Sequence, residues 1–147
     1  MGDIEPPLHP ALSDVVAKID HLIVGTELAA QVTGKGEPAD MVTALSAGRA
    51  CCVVTAGSCG AWYSVHGGTV RHCPAFSVPV VDTTGCGDVF HGAYSACLAR
   101  GMDSDRTVRV ATAVAGLKAS RPGGRAGIPD WPTLERFLGK HGIQCAP

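Results

Sequence analysis

The sequence lacks the features that mark several large classes of protein. Its 147 residues carry 12 Lys and Arg against 13 Asp and Glu, so no charge excess predicts a nucleic-acid-binding face. No apolar run is long enough to span a membrane. The first ten residues are polar and proline-rich, which indicates no signal peptide. We therefore expect a cytoplasmic protein whose partners include neither nucleic acid nor a membrane.

Two common nucleotide-binding motifs are also missing. The chain contains no Gly-x-x-x-x-Gly-Lys-[Ser/Thr] loop and no Gly-x-Gly-x-x-Gly turn, which excludes a P-loop kinase and a dinucleotide-binding fold of that type. Internal repeats and low-complexity segments are absent as well.

Cysteine is present, but its spacing does not predict a disulfide framework. Seven cysteines stand at positions 51, 52, 59, 73, 86, 97 and 145, without a Cys-x-x-Cys pair. Several lie inside apolar patterns, so we expect reduced, buried thiols that act as small hydrophobic residues. Cys86 differs because a helix is predicted to begin beside it, and we expect the helix N-terminus to lower its thiol pKa.

Short apolar strands alternate with amphipathic helices along the chain. Strands are predicted at 21–24, 51–55, 61–65 and 69–72. Helices are predicted at 12–19, 27–32, 39–47, 106–120 and from 131 onward, and a further helix carries the apolar stripe of Val89, Phe90, Ala93, Cys97 and Leu98 and ends before Gly101. Thr26 is the expected cap of the second helix, and segments 61–65 and 69–72 are expected to form a hairpin. The alternation predicts an α/β fold with a mostly parallel, doubly wound sheet flanked by helices, and ligands at the carboxyl ends of its strands.

The most informative stretch is Val80-Val81-Asp82-Thr83-Thr84-Gly85-Cys86-Gly87-Asp88-Val89-Phe90-His91-Gly92-Ala93. Its first residues are β-branched and predict the end of a buried strand. The glycines that follow predict a tight turn, and the apolar residues after them predict a helix. The first N–H groups of that helix lack partners within it and form an anion site. Asp88 stands too late for an N-cap, so it is a candidate general base, with the N–H groups stabilising a transferring phosphoryl group. The alternative is an ordinary strand–helix turn with a capping acid.

The segment from Asp82 to Asp88, followed by Phe90-His91-Gly92-Ala93, resembles the second signature of the ribokinase-like (PfkB) sugar kinases. The resemblance implies that Asp88 is the catalytic base and that Gly85, Cys86 and Gly87 form the anion hole for the γ-phosphate. An earlier Gly-rich segment, from Thr55 to Gly60, resembles the family's Thr-x-Gly-x-x-Gly motif. The implied contacts to ATP are Thr55, Gly57, Ser58, Gly60, Gly87 and Thr112.

The resemblance also implies two metal ions. A monovalent cation, potassium, would be surrounded by Asp82, the Thr84 carbonyl and the loop that contains Arg121 and Gly123. Magnesium usually accompanies an Asn-x-x-Glu pattern, but here those positions hold Gly25-Thr26-Glu27-Leu28. Either Glu27 serves the magnesium ion, or it is a first-turn acid that interacts with the helix dipole.

The resemblance covers nearly the whole chain but only the carboxyl-terminal half of a typical family member. We therefore expect residues 1–147 to be the ATP-binding portion of a ribokinase-like kinase domain, without the amino-terminal strands and the lid. The expected function is ATP-dependent phosphorylation of a sugar hydroxyl, with little activity from this chain alone. The alternatives are a non-catalytic nucleotide-binding or interaction module and a vitamin or hydroxymethylpyrimidine kinase. Because neighbouring strands would be missing, we expect strand 51–55 to show an unpaired edge or an uncovered apolar face, and the chain to form a homodimer or to associate through that sheet.

Overall fold

The computed structural model describes residues 15–143, which form helices and strands in alternation. The elements are β1 (His21–Gly25), α1 (Thr26–Thr33), α2 (Pro38–Leu45), β2 (Cys51–Thr55), β3 (Ala61–Val65), β4 (Arg71–Cys73), α3 (Cys86–Ala99), α4 (Ser104–Ala119) and α5 (Trp131–Lys140). A single turn of 3₁₀-helix, Gly57–Cys59, connects β2 to β3. Residues 15–17 are helical, in agreement with the predicted first helix, whose start at residue 12 lies outside the described residues, as does the proline-rich segment 1–10. No helix between residues 15 and 143 is long and apolar enough to cross a bilayer.

The strands form one sheet in the order β1-β2-β3-β4. β1 and β2 are parallel, with His21 opposite Cys51 and Gly25 opposite Thr55. The connections from β2 to β3 and from β3 to β4 have only five residues each, too few for the crossover that parallel strands require. The predicted parallel pairing therefore holds for β1 and β2. The short connections make β3 antiparallel to β2 and β4 antiparallel to β3, and the second of these pairs is the predicted hairpin. The sheet is therefore mixed.

The described residues divide into two compact units, residues 15–56 with 62–71 and residues 57–61 with 72–143. The first unit has a core built on Ala29, Met41, Val42 and Val54. The second has a core in which Cys97, Val110, Val114, Leu134 and Leu138 come from α3, α4 and α5. These helices present an apolar residue every three or four positions, and that spacing places one stripe of each helix in the shared core.

Strand β2 is the best-buried part of the sheet. Cys51, Cys52, Val53 and Val54 are 0% exposed, and β2 has β1 on one side and β3 on the other. The expectation that this strand shows an unpaired edge or an uncovered apolar face is therefore wrong. The hairpin strand β3 supplies the neighbour that was expected to be missing, so association through this strand has no structural basis.

The helix ends follow ordinary capping chemistry, with one correction. Asp103 caps α4 because its carboxylate accepts a bond from the Arg106 N–H at 2.8 Å. Asp130 caps α5 by accepting a bond from the Thr133 N–H at 2.9 Å, and the Thr133 hydroxyl first and this N–H next lower the pKa of Asp130. Thr26 is the first helical residue of α1 rather than its cap, and the N-cap is Gly25, which has no side chain to accept a bond.

Candidate functional site

The turn before α3 has the geometry of an anion-binding site. Gly85 is the N-cap, with φ at +75°, a left-handed conformation that glycine adopts without steric cost. The first helical bond is donated by the Val89 N–H to Gly85 O at 2.9 Å. The preceding N–H groups of Gly87 and Asp88 have, by position, no carbonyl within the helix to bond, so they face outward at the positive end of α3.

One of the backbone N–H groups of the predicted anion hole is already occupied by a hydrogen bond. The Cys86 N–H donates to Thr83 O at 3.1 Å, which closes the turn and occupies that donor. The donors left for a phosphate are therefore the N–H groups of Gly85, Gly87 and Asp88. A Cβ on Gly85 would lie 3.5 Å from Gly124 O, so the loop after α4 passes close beside the turn.

Asp88 lies beside this turn and is open to solvent. Its Oδ2 is 4.0 Å from the position that a Cβ on Gly85 would take, so the carboxylate folds back toward the turn. Asp88 also lines a cavity of about 680 Å³ that follows α3 from Gly85 to Arg100. Arg100 stacks over the Trp131 ring at 4.9 Å and is part of the same lining. The site therefore combines outward N–H donors with an accessible carboxylate, which is the arrangement that phosphoryl transfer to a hydroxyl requires.

Asp82 joins the two ends of the site by hydrogen bonds. Its Oδ1 accepts a bond from the Thr84 N–H at 2.8 Å, and its Oδ2 accepts one from the Gly123 N–H at 2.7 Å. These donors, the Thr84 N–H and hydroxyl first and the Gly123 N–H next, lower the pKa of Asp82 from 3.8 to about 2. The structure thus brings together Asp82, Thr84 and Gly123 of the predicted cation set. The fourth member, Arg121, follows directly after α4, where its N–H donates to Lys118 O at 3.2 Å.

Lys118 is the residue of this site that sequence reasoning missed. It lies in the last turn of α4, is 0% exposed, and donates from Nζ to the backbone oxygen of Asp82 at 3.0 Å. Val110 and Val114 precede it at four-residue intervals on the buried stripe of α4. A lysine at the next position of an apolar stripe was the signal that could have revealed it, because a buried charge requires a polar partner.

Two expectations about this region are wrong. Val80 and Val81, predicted to end a buried strand, lie outside any strand and are 63% and 60% exposed. Their segment is held instead by backbone bonds from the Val81 and Asp82 N–H groups to Ala119 O. The pKa of Cys86 is raised rather than lowered, because burial of the thiol outweighs the nearby charge of Lys118. The Cys86 Sγ lies 3.6 Å from Ala115 O, to which it donates.

The predicted nucleotide-binding residues have different environments. Thr55 ends β2, and Gly57 and Ser58 lie in the exposed 3₁₀ turn that follows. Gly60 has φ at +89°, and its Cβ would lie only 2.1 Å from Cys73 O, so glycine is needed here for a close backbone approach. Thr112 is nearly buried and donates its hydroxyl hydrogen to Val108 O at 2.8 Å, which directs its side chain into the protein.

Glu27 lies exposed in the first turn of α1. Its position suits the helix dipole and leaves the carboxylate accessible, so both interpretations of Glu27 remain. Among residues 15–143, no three His, Cys, Asp or Glu side chains converge as a metal-binding group.

Comparisons with known proteins identify the family and the fold. Residues 2–131 match the family model described as pfkB family carbohydrate kinase. The chain is 36% identical over 85 residues to the ribokinase of Bacillus subtilis, covering 58% of this chain and 29% of that enzyme. The structure of a protein assigned as a ribokinase from Agrobacterium tumefaciens superposes with a TM-score of 0.85 and 29% identity, covering 91% of this chain and 45% of the other. A protein assigned as ribokinase II from E. coli, solved with ATP and Mg²⁺, gives a TM-score of 0.79 and 27% identity, covering 89% of this chain and 42% of the other. The chain therefore spans less than half the length of these relatives.

Proposed function

The chain belongs to the pfkB family of carbohydrate kinases and has a ribokinase-like fold, and from this premise we propose that it carries out the phosphoryl-transfer part of an ATP-dependent sugar kinase. Residues 1–147 are, in this proposal, the ATP-binding portion of the kinase domain. The acceptor is a sugar hydroxyl, and the donor is the γ-phosphate of ATP. Because none of the six cysteines between residues 15 and 143 forms a disulfide, we also propose a reducing, cytoplasmic location.

One observation supports the proposal more than any other. The left-handed Gly85 opens α3 so that the N–H groups of Gly87 and Asp88 face outward, and the carboxylate of Asp88 lies beside the same turn. A carboxylate would be unfavourable in a site that only bound phosphate, because like charges repel. Its presence is explained if it accepts a proton from the acceptor hydroxyl while the N–H groups bind the transferring phosphoryl group.

The proposed step transfers the γ-phosphoryl group of ATP to the sugar hydroxyl. The sugar hydroxyl gives its proton to the Asp88 carboxylate as its oxygen forms a bond to the γ-phosphorus. The bond from that phosphorus to the bridging oxygen of ATP breaks, and ADP leaves with the electron pair. The N–H groups of Gly85, Gly87 and Asp88 would stabilise charge on the phosphoryl oxygens during the transfer.

We propose fewer protein contacts to ATP and magnesium than the resemblance implied. Gly57 and Ser58 lie in an exposed turn and stay candidates for the ATP phosphates, whereas Thr112 makes interior bonds. Magnesium, when bound with ATP, neutralises phosphate charge. Because the described residues hold no cluster of acidic ligands, magnesium would be held mainly by the phosphates, with a single carboxylate, for which Glu27 is the candidate, as a protein ligand.

The test starts with binding and continues with turnover. Titrating Mg·ATP into the purified chain by calorimetry should give saturable binding, and a panel of aldoses, ketoses and nucleosides then tests the acceptor. Asp88→Asn should keep ATP binding within about twofold. In a complete enzyme assembled with this chain it should lower turnover by about 10²–10⁴, the usual contribution of a general base.

Asp40→Asn is the matched control for this substitution. Asp40 is also an exposed acid in the first turn of a helix, α2, so it shares the effect of Asp88 on a helix dipole but lies outside the proposed site. Its replacement should leave turnover unchanged. Full turnover by Asp88→Asn would reject Asp88 as the base. Saturable ATP binding without turnover on any acceptor, in the complete enzyme, would favour a non-catalytic module, and turnover only on a hydroxymethylpyrimidine or another vitamin would favour that class of kinase.

A further inference from the structure

Lys118 is the only charged side chain that is buried among residues 15–143. Its Nζ donates to the main-chain oxygen of Asp82 at 3.0 Å, and its position in the last turn of α4 sets a positive charge against the negative end of the helix. A lysine that served only to cover apolar surface would keep its ammonium group in water. Full burial of this ammonium group therefore indicates a specific role at Asp82.

The side chain of Lys118 bonds one of the residues that the resemblance assigned to a potassium ion, and that residue bonds two others of the set. Asp82 bonds both Thr84 and Gly123 through its carboxylate, and its carbonyl is the acceptor for Lys118. A Cβ on Gly127 would lie 2.3 Å from Lys118 O, so the loop that begins at Arg121 returns directly onto this lysine. The loop therefore packs against the backbone of Lys118, while the ammonium group of Lys118 bonds the residue that leads into the turn.

We propose that the ammonium group of Lys118 takes the place of the monovalent cation at this site. It compensates the carboxylate of Asp82 and the carbonyl end of α4, and it positions the segment that leads from Asp82 to the anion-binding turn at Gly85. Lys118 is a positioning residue in this proposal, because it acts on the turn through Asp82. The expected consequence is a protein whose folding, and whose nucleotide binding under the proposed function, do not depend on potassium.

Electrostatics explain why both cations would not share the site. A potassium ion at the Asp82 carboxylate and the Thr84 carbonyl would share Asp82 with Nζ, which contacts the main-chain oxygen of that residue at 3.0 Å. Two unit charges about 7 Å apart near a protein surface repel strongly enough to weaken binding by on the order of 10–10²-fold. An ammonium group held at Asp82 therefore does not fit beside a resident potassium ion at the same residue.

The first experiment needs no substitution and no substrate. The melting temperature of the chain is measured from 0 to 150 mM KCl, with tetramethylammonium chloride added to keep the ionic strength constant. A cation that binds only the folded state raises the melting temperature as its concentration passes the dissociation constant. We expect the melting temperature to stay constant within about 1 °C across the series, and a saturable rise specific to potassium would overturn the proposal.

The second experiment opens the site to small cations. Lys118→Ala should lower the melting temperature, and potassium, ammonium or methylammonium should restore part of it where tetramethylammonium does not. Lys140→Ala is the matched control, because Lys140 is a last-turn lysine of α5 that is exposed, and it should show no preference among these ions. A folded Lys118→Ala protein that responds equally to all four ions would overturn the proposal. If this variant does not fold, the wild-type series decides alone. Since the readout is melting temperature, failure here is distinct from failure of the kinase proposal, which ATP binding and turnover test.

Discussion

Gly127 is the residue whose replacement tests how the loop after α4 is held against the site. A Cβ on Gly127 would lie 2.3 Å from Lys118 O and 2.8 Å from Lys118 Cα, whereas ordinary contacts between such atoms are about 3.5 Å. Both atoms belong to the backbone and cannot rotate away. Gly127→Ala must therefore displace either the loop or the end of α4, and with it the contacts of Lys118.

The size of the effect follows from this clash. Forcing an extra carbon into a closely packed site costs about 1–3 kcal/mol. For a chain of this length, each kcal/mol changes the melting temperature by about 3–4 °C. We therefore expect Gly127→Ala to melt about 3–12 °C below the wild type when thermal unfolding is followed by far-UV circular dichroism.

Gly124→Ala is the matched control within the same loop. No atom lies within 4 Å of the position that its Cβ would take, and its φ is outside the left-handed region. Alanine there should be neutral or stabilising by up to about 1 kcal/mol, because it restricts the unfolded chain. The reasoning is refuted if Gly127→Ala melts within 1 °C of the wild type, or if Gly124→Ala loses as much stability as Gly127→Ala.

Three further predictions concern stability, pH and the chain alone. Gly60→Ala should melt several degrees below Gly57→Ala, because both positions have positive φ but only the Cβ of Gly60 meets backbone atoms; equal melting temperatures would show that the clash is relieved. The pKa of Asp82 is lowered from 3.8 to about 2, so its stabilising bonds are complete above about pH 4 and are lost as the pH falls through 2. The excess stability of wild type over Asp82→Asn should accordingly disappear between pH 4 and pH 2, and a difference independent of pH would contradict this. The purified chain should turn over ATP with any sugar far more slowly than about 1 s⁻¹, the low end for kinases, because residues that hold the sugar were expected in the half of the family fold that this sequence does not match; full sugar-dependent turnover by this chain alone would contradict this.

Local rules of the backbone predicted the parts of the site that depend on local sequence. Gly85 sets a left-handed turn, and the next residues begin a helix whose first donors point outward, whatever the rest of the fold does. The bounds of β2 and β3 agree with prediction for a similar reason, since short runs rich in β-branched residues (β2) or aromatic residues (β3), bounded by glycines, favour a strand and mark its ends. Features of this kind need no knowledge of distant residues.

Features that depend on contacts distant in sequence were predicted poorly. The Val80-Val81 pair has the composition of a strand, but a strand also needs a neighbour, and the backbone of Val81 bonds the end of α4 instead. The pKa of Cys86 was expected to fall because a helix begins there, yet burial of the thiol has the larger effect. In both cases the local pattern was recognised, and a tertiary contact decided the outcome.

The same distinction applies to the cation at Asp82, which the resemblance implied to be potassium and which we propose to be the ammonium group of Lys118. The residues expected around it, Asp82, Thr84 and Gly123, do converge, so the pattern of ligands was recognisable from the sequence. The charge that bonds the main-chain oxygen of Asp82 comes from Lys118, 36 residues from Asp82 along the chain, and no short motif includes both. Oxygen ligands attract any cation of suitable size. An ammonium group on a buried side chain has an advantage over an ion from solution, because the helix already holds it in place. Under our proposal one residue of α4 sets the identity of the cation, and its replacement is the change that should make the site depend on ions from solution.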